Sequence, residues 1–295
     1  MPDTGCRVSV IVPTYNRSGA LDEHAAAVLA QDFDDYEVVY VDDGSTDGTP
    51  GVLANIQAAH PERVRTVRIE NSGPGAARNA GAREATGELF LFTDDDVIVP
   101  KDWVSGMVSL YEAHGYDAVC GGVEPYALDT PAERYMYCRS RIHHRDKPKP
   151  IKAAPMMNFM VSRKMFERLG GFLDERVPAA EDWEFCLRLT ANGGTIFYVP
   201  SISVLHRYQT EMAAVEKRIR ATGWYGVYIS SKLGRNLAWY TLGSTLRFAI
   251  YPFLLLRRYP LDLYWLALRM EGVFWWARVK AYRHFLAGRD LLKPP

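Results

Sequence analysis

The feature that most constrains the fold is an alternation of short apolar segments and helical patterns along the first hundred residues. Each apolar segment is typical of a buried strand, and each helical pattern follows after a polar stretch. The predicted strands span residues 7–12, 36–41, 64–69 and 89–93, and the predicted helices span residues 20–31, 50–59 and 74–86. Strands and helices that alternate in this way form a doubly wound, parallel α/β sheet.

Polar segments follow three of these predicted strands directly. They are residues 13–17, residues 42–48 and the triplet Asp94-Asp95-Asp96. Ligands of open parallel sheets bind beyond the carboxyl ends of the strands. The three segments therefore predict a single binding site at one edge of the sheet.

The acidic triplet indicates what this site binds. Three adjacent carboxylates at the end of a buried strand repel one another unless a cation or hydrogen-bond donors lie among them. Closely spaced oxygen ligands suit Mg²⁺ or Mn²⁺, which proteins commonly share with substrate phosphates. The triplet thus predicts a metal-dependent enzyme that acts on a phosphorylated substrate, and the alternative is a solvated acidic turn.

The zero net charge of the 295 residues hides an asymmetry along the chain. Up to His206 there are 20 Lys and Arg against 30 Asp and Glu, whereas from Arg207 onward there are 15 against 5. We therefore predict an acidic catalytic domain over residues 1–206 and a basic, aromatic-rich helical tail over residues 207–295. A basic excess of this size favours an anionic partner for the tail.

The middle of the chain has a weaker pattern. We predict a strand at 118–124, helices at 165–171 and 181–190, and two short strands at 196–199 and 201–206 that Pro200 separates. Residues 134–152 are basic and loop-like, which indicates a solvated face or a mobile loop over the site. The four cysteines are widely spaced and the N-terminus lacks a secretory signal, so we expect reduced thiols and a cytoplasmic location.

Five segments share their order with the motifs of one enzyme family. They are residues 8–17, 41–49, 71–79, 93–96 and 181–186. Over residues 7–206 the chain resembles the family 2 glycosyltransferases, which implies a GT-A-type doubly wound, mostly parallel sheet with a helical C-terminal appendage. The resemblance also implies inversion at the sugar. The Gln-x-x-Arg-Trp motif of processive members does not follow Asp182, so we expect transfer of one sugar per encounter.

The resemblance further implies how a nucleotide-sugar donor, often a UDP-sugar, is bound. Tyr15 would stack on the base. Asp42 or Asp43 would accept a hydrogen bond from the base or ribose, while one of the two has the alternative role of forming the turn before Gly44. The implied donor contacts are Pro13, Tyr15, Asp42, Asp43, Arg78, Asp94 and Asp95.

The resemblance assigns the remaining roles to a metal and a general base. The implied ligands of Mn²⁺ or Mg²⁺ are Asp96, Asp94 and His206, with a purely structural His206 as the alternative. A dication there stabilises the leaving nucleoside diphosphate. Asp182 would take the proton from the acceptor hydroxyl, and Glu181 would position the acceptor or the base. The acceptor would be a glycan or a lipid-linked molecule in cell-surface glycan or glycolipid assembly.

Other functional classes fit the sequence less well. The main alternative is a catalytically silent nucleotide-sugar-binding module that docks a partner, and the presence of Asp96 and Asp182 argues against it. A phosphotransferase with Asp94 as nucleophile would need Thr where the chain has Ile98. A dinucleotide-dependent oxidoreductase would need a Gly-x-Gly-x-x-Gly segment after the first strand. The tail matches no nucleic-acid recognition module.

The tail has the composition of helices that contact a membrane surface. Residues 237–256 carry one charge, Arg247, which argues against a membrane span. Residues 261–287 interleave aromatic and basic side chains, as do helices that lie among lipid headgroups. We expect peripheral attachment to the cytoplasmic face of a membrane through residues 232–287. Packing on the catalytic domain or on a second subunit is the alternative, and an oligomer is compatible with the sequence.

Overall fold

The computed structural model describes residues 5–139, 147–173, 175 and 177–294, apart from the side chains of 114, 244, 247–249 and 251. The chain divides into two compact units. Unit 1 consists of Met1–Tyr126, Ile142–Arg176 and Glu181–Arg207, and unit 2 consists of Ala127–Arg141, Val177–Ala180 and Tyr208–Pro295. Two short segments that precede residue 206 thus belong to unit 2.

Unit 1 is built on one sheet. In its described residues the strands are β1 (Val8–Thr14), β2 (Tyr36–Asp42), β3 (Val64–Arg68), β4 (Leu89–Phe92), β5 (Val97–Ile98), β6 (Ala118–Pro125), β7 (Lys149–Ile151), β8 (Phe159–Ser162) and β9 (Ile196–His206). Their order is β3-β2-β1-β4-β8-β6-β9-β5, with β7 also paired to β9. β1 is parallel to β2 and β4, β2 to β3, and β6 to β9. β8 is antiparallel to β4 and β6, and β9 is antiparallel to β5 and β7.

Helices connect the strands of unit 1 and form most of unit 2. In the described part of the chain they are α1 (Leu21–Leu29), α2 (Thr49–Ala59), α3 (Pro74–Glu84), α4 (Trp103–His114), α5 (Pro131–Arg139), α6 (Arg163–Arg168), α7 (Glu181–Ala191), α8 (Met212–Lys232), α9 (Leu237–Arg258) and α10 (Leu261–Leu286). Of these, α5, α8, α9 and α10 belong to unit 2.

Successive residues of β1 enter opposite faces of the sheet. Val10 lies in one apolar cluster, which includes residues of α1. Ile11 lies in a second cluster with Ala77 and Ala80 of α3. Gly81 lets α3 approach closely, because a Cβ atom there would lie 2.6 Å from Cγ2 of Ile11. A sheet with both faces covered explains why β1 and β2 are mostly apolar and buried along almost their whole length, and the predicted doubly wound, mostly parallel fold is confirmed.

The predicted break of the last strand at Pro200 is wrong, because β9 is one strand that runs through this residue. Its register shifts between Gly121 and Gly122 of β6, whose partners on β9 are Val199 and Ser203. Pro lacks the N–H that a regular ladder requires, and a bulge is a position where that loss is tolerated.

The basic segment predicted as a loop over residues 134–152 contains regular structure at both ends. Its first residues, up to Arg139, form the second half of α5. Lys149–Ile151 forms β7 and pairs with β9. Residues 140–146, which include the predicted basic residues Arg141, His143, His144 and Arg145, lie outside the described residues.

Unit 2 has an apolar core of its own. The core includes Tyr135 of α5, Val215 and Ile219 of α8, Leu255 of α9 and Met270 of α10. Among the described residues, none of the helices combines the length and the apolar character that crossing a bilayer requires. The side chain of Arg247, the single charge of the apolar stretch, lies outside the described residues.

Candidate functional site

The chemically rich segments meet at one edge of the sheet in unit 1. β1, β2 and β4 are parallel, and two antiparallel pairings through β8 return β6 and β9 to the same direction. The carboxyl ends of β1, β2, β4 and β9 therefore share one edge. We call this the carboxyl edge; it comprises residues 13–17, 42–48, 93–96 and 206, with the first turns of α3 and α7.

The loop after β1 presents Tyr15, whose side chain is 47% exposed. The next residue, Asn16, has a φ of 54°, in the left-handed region that Asn tolerates better than most residues. Its backbone N–H donates to Oγ of Ser45 at 2.9 Å, and its Oδ1 accepts from the N–H of Thr46 at 2.8 Å. These bonds tie the loop that carries Tyr15 to the loop after β2.

Asp42 ends β2 and is buried. Its Oδ1 accepts from the backbone N–H of Ser45 at 2.8 Å, and its Oδ2 lies 3.1 Å from Nη1 of Arg68. Pro13 lies in β1, in register with Val41. Asp42 thus holds the loop after β2, and since each carboxylate oxygen has two lone pairs, the group can accept further bonds.

Asp43 connects the end of β2 to the start of α3. Its two carboxylate oxygens accept from the backbone N–H groups of Ser72 at 2.7 Å and Gly73 at 2.9 Å. Gly44 follows with a φ of 74°, and a Cβ atom there would lie 2.7 Å from the backbone N of Asn71. Only glycine fits this close approach. The hydrogen bonds of Asp43, like those of Asp42, give both acidic residues of the loop a structural role.

Arg78 of α3 is a buried cation between two carboxylates. Its side chain is 4% exposed; Nη2 lies 2.6 Å from Oδ1 of Asp94, and Nη1 lies 2.9 Å from Oε1 of Glu181. Burial alone would lower the pKa of Arg78, but the two carboxylates outweigh it and the pKa is raised. The guanidinium therefore stays charged and joins the end of β4 to the start of α7.

Asp95 is buried beside two charged groups. Nε of Arg17 lies 3.1 Å from its Oδ1. Burial first, and then the negative charge of Asp96, raise the pKa of Asp95 to about 7, although the positive charge of Arg17 and a hydrogen bond with Thr14 oppose the change. The centre of the triplet is thus a carboxyl group that an added cation would ionise fully.

Asp96 and His206 come together through the pairing of β5 with β9. Val97, the residue after Asp96, is in register with His206, and Nε2 of His206 lies 3.4 Å from Oδ1 of Asp96. Nη2 of Arg17 lies 3.1 Å from Oδ2 of the same aspartate. Asp96 therefore faces an imidazole and a guanidinium at the carboxyl edge.

These groups fit a divalent cation that a substrate helps to bind. Among the described residues, no group of three or more His, Cys, Asp or Glu side chains is placed to hold a metal by itself. Asp96 and His206 are adjacent, however, and a guanidinium already neutralises Asp96, which marks this place as one for positive charge. Two protein ligands completed by phosphate oxygens are a common arrangement for Mg²⁺. Asp94, the third predicted ligand, pairs with Arg78 at 2.6 Å, and its role as a metal ligand stays a prediction.

Asp182 lies in the first turn of α7, directly after the buried Glu181. Its Oδ1 accepts from the backbone N–H of Trp183 at 2.6 Å. The start of a helix stabilises the ionised form of a carboxylate. Because Glu181 is ion-paired with Arg78, the turn that carries Asp182 is fixed to the end of β4.

Sequence reasoning assigned no role to three residues that support this edge. Arg17 lies in the first of the five family motifs, residues 8–17, but its contact with the acidic triplet depends on the folded loop. Asn79 accepts from and donates to the backbone of Phe172, at 2.9 Å each. His24 is buried with Nδ1 3.0 Å from the hydroxyl of Tyr40. Burial lowers the pKa of His24 to about 4, against the opposing charge of Asp96.

The structure thus brings most of the predicted site residues to one place. Ion pairs link six of the predicted residues. Arg78 joins Asp94 to Glu181, Asp96 lies beside His206, and Arg17 joins Asp95 to Asp96. Pro13, Tyr15, Asp42 and Asp43 lie on the adjoining strand ends. The ligands that each residue binds stay predictions.

Comparison with known proteins identifies the family. The family described as "Glycosyl transferase family 2" matches residues 9–170. The glycosyltransferase AglE of Haloferax volcanii is 28% identical over 72% of this chain and 71% of its own length. A Campylobacter jejuni protein named GalNAc(5)-diNAcBac-PP-undecaprenol beta-1,3-glucosyltransferase is 38% identical, but over only 30% of this chain and 29% of its own length.

A solved structure supports the same fold. The mannosyltransferase PcManGT from Pyrobaculum calidifontis, in complex with GDP-Man and Mn²⁺, superposes with a TM-score of 0.67. The match covers 94% of this chain and 87% of that chain at 22% sequence identity, so it establishes the GT-A fold and not the substrate. Together with the family match over more than half of the sequence, these findings show that the chain is a glycosyltransferase and belongs to glycosyl transferase family 2.

Proposed function

We propose that the protein is a metal-dependent, inverting glycosyltransferase that moves one sugar from a nucleotide-sugar to an acceptor hydroxyl. The observation that carries the proposal is the cluster at the carboxyl edge. Asp96 lies 3.4 Å from His206 there, and the loop with the exposed Tyr15 is tied to the neighbouring loop. This arrangement offers a place for a cation and an aromatic face for a base within one site.

The donor would bind along the ends of β1, β2 and β4. Tyr15 has the exposed ring that stacking on a base requires, and remaining lone pairs of Asp42 and Asp43 can accept from the base or the ribose. Asp94 would face the ribose. The family resemblance favours a UDP-sugar, and GDP-sugars are the comparison that a binding panel must include.

Asp96 and His206 would hold Mn²⁺ or Mg²⁺ beside the diphosphate of the donor. When bound there, the cation supplies positive charge that stabilises the leaving nucleoside diphosphate. Arg78 stays charged between Asp94 and Glu181, offsets part of their negative charge and would thereby reduce their repulsion of the nucleotide end of the donor. Water would have to reorient to stabilise the developing charge, whereas these groups are already in place. The protein therefore contributes to catalysis mainly by holding the charges in position.

Asp182 would act as the general base on the acceptor. Its carboxylate takes the proton of the acceptor hydroxyl while that oxygen attacks the anomeric carbon and the bond to the diphosphate breaks. Attack from the face opposite the leaving group inverts the configuration. Glu181 is fixed by Arg78 at 2.9 Å and would position the turn from which Asp182 acts.

A thermal-shift panel of nucleotide-sugars, with and without Mn²⁺, tests the proposal. We expect one base to raise the melting temperature only when Mn²⁺ is present, and Asp96→Ala to remove the gain. Asp34→Ala, which removes an exposed carboxylate just before the start of β2 and so at the opposite end of that strand from the edge, is the control. Donor hydrolysis with Mn²⁺ separates the enzyme from a silent nucleotide-sugar-binding module. No stabilisation by any donor at any Mn²⁺ concentration would refute the proposal.

We also propose that unit 2 attaches the protein peripherally to the cytoplasmic face of a membrane, where a lipid-linked acceptor would lie. Five of the large apolar side chains that α9 exposes follow one another at intervals of three or four residues, which places them on one face of the helix. They are Trp239, Leu242, Leu246, Ile250 and Phe253, and Leu254 and Leu256 are exposed as well. The excess of 15 basic over 5 acidic residues from Arg207 onward complements anionic lipid headgroups.

Co-sedimentation of the full chain with vesicles tests this attachment. We expect binding to vesicles that contain phosphatidylserine, weaker binding to phosphatidylcholine alone, and a loss of about ten-fold or more when Ile250 and Phe253 are changed to Ser. Leu128→Ser removes an exposed apolar side chain outside residues 232–287 and is the control. The contrary outcome is a protein that does not bind vesicles but forms a dimer, which the change of Ile250 and Phe253 to Ser dissociates. That result would contradict membrane attachment and favour a second subunit as the partner.

A further inference from the structure

The guanidinium of Arg17 spans two carboxylates of the acidic triplet. Its Nε lies 3.1 Å from Oδ1 of Asp95, and its Nη2 lies 3.1 Å from Oδ2 of Asp96. Asp96 is also the carboxylate that His206 approaches to 3.4 Å. Arg17 therefore pairs with the carboxylate of Asp96, which under the proposed function would bind the divalent cation.

The backbone of Arg17 has contacts that do not involve its side chain. Its N–H donates to Oγ1 of Thr49 at 2.8 Å, and its carbonyl accepts from the N–H of Ala20 at 2.9 Å. The side chain is 36% exposed, whereas that of Arg78 is 4% exposed between its two carboxylates. The long side chain of Arg17 can thus leave the triplet through rotamer changes without breaking these two backbone contacts.

We propose that Arg17 is an internal cation that competes with the divalent cation for the triplet and makes metal binding depend on the diphosphate. This inference rests on the proposed function. When no divalent cation is bound, the guanidinium pairs with both Asp95 and Asp96 and offsets part of their charge, and a dication placed beside it is repelled. Arg17 is a positioning residue in this scheme.

A nucleoside diphosphate resolves the competition. Its phosphate oxygens accept bidentate hydrogen bonds from a guanidinium, so they give Arg17 a new partner when it leaves the carboxylates. The same diphosphate supplies oxygen ligands for the cation. Metal and nucleotide then strengthen each other's binding by equal factors, as linkage requires.

Mn²⁺ titrations of the full chain, read as free Mn²⁺ by electron paramagnetic resonance, test this inference. They are made without nucleotide, with UDP and with GDP. We expect Arg17→Gln to bind Mn²⁺ about ten-fold or more tightly than the wild type without nucleotide, and the enhancement by nucleotide to shrink by a similar factor. Arg17→Lys, which keeps the charge, should stay closer to the wild type.

Arg68→Gln is the matched control. It removes the same charge at the same edge, from a guanidinium that pairs with Asp42 at 3.1 Å and is not paired with the triplet. An equal gain in Mn²⁺ affinity in this control, or no gain in Arg17→Gln, would overturn the inference. Since that comparison needs no nucleotide, it is decided separately from the proposed function, which fails if the wild type shows no Mn²⁺-dependent binding of UDP, GDP or their sugars.

Discussion

The carboxyl edge of unit 1 and the helices of unit 2 use charge and apolar surface in opposite ways. At the edge, acidic groups have cationic or backbone partners, as the buried Glu181 has in Arg78. In unit 2, α9 exposes large apolar residues, and Phe253 is 75% exposed. Under the proposed function the edge would bind a small charged ligand, whereas α9 would contact a broad apolar or amphipathic partner.

The two regions nevertheless share one device, an arginine paired with a buried carboxylate. In unit 1 Arg78 joins Asp94 to Glu181. In unit 2 Arg139 of α5 pairs with the buried Glu271 of α10. The first pair lies among residues proposed to bind substrate, and the second lies beside the apolar core of the helices. Whether each pair serves chemistry or packing can be measured.

The largest expected effect belongs to Asp182→Asn. Removing the proposed base should lower kcat about 10³-fold while leaving the metal-dependent thermal shift by the donor unchanged, because Asn keeps the shape of the side chain. Initial rates of nucleoside diphosphate release measure the loss. Asp34→Asn is the control on an exposed aspartate. A variant within ten-fold of the wild type, or a product with retained anomeric configuration, would remove Asp182 from the role of base.

Local sequence patterns predicted the strands of the first half and the edge that they form. Apolar runs such as residues 36–41 are buried on both faces, so their pattern needs no distant partner to be read. The motifs after the strands could also be found from the local sequence, because each one directly follows a strand. The short distance between Asp96 and His206 was accessible through the family resemblance, since residues 110 positions apart in the sequence have no local signal that joins them.

Features that depend on distant partners were missed. The segment after residue 134 was predicted as a basic loop because its charges suggest solvation, but Arg134 pairs with Asp262 at 2.7 Å and Arg139 pairs with Glu271. These carboxylates are more than 120 residues away in the sequence, and they allow α5 to form. The bulge at Pro200 likewise depends on two glycines of β6.

Arg78→Met should have the next largest effect. It leaves Asp94 and the buried Glu181 without their shared cation, and breaking a buried ion pair by removing one partner lowers the free energy of unfolding by about 3–5 kcal/mol. Urea denaturation measures this difference. Arg68→Met, at an exposed guanidinium, should change stability by about 1 kcal/mol or less. An Arg78→Met protein as stable as the wild type would show that the pair is not needed to hold the edge.

His24 should make the folded protein acid-sensitive. The folded-state pKa of about 4 lies below the ordinary value of 6.5, so the unfolded chain binds more protons between these values. Stability therefore falls as pH falls from 6.5 to 4, by about 3 kcal/mol for this group. In His24→Asn, which keeps a polar partner for Tyr40, this part of the loss should disappear from urea unfolding curves at pH 7 and pH 4. Parallel losses in both proteins would contradict the assignment.

The smallest effect is expected where both partners of the unit 2 pair are replaced. Arg139→Met alone should lower stability by several kcal/mol, because it leaves Glu271 buried without its cation. The double change Arg139→Met with Glu271→Leu should recover this loss to within about 1 kcal/mol of the wild type or better, since apolar residues of similar volume replace buried ion pairs well. Nearby Phe274, whose ring lies 5.0 Å from the guanidinium carbon of Arg139, favours that recovery.

Urea denaturation of the two variants, with donor-dependent activity as a second readout, measures the recovery. Activity close to the wild type in the double variant would assign this pair to packing and sharpen the contrast with Arg78. A double variant as unstable as Arg139→Met would instead show that the helices of unit 2 need the charges themselves.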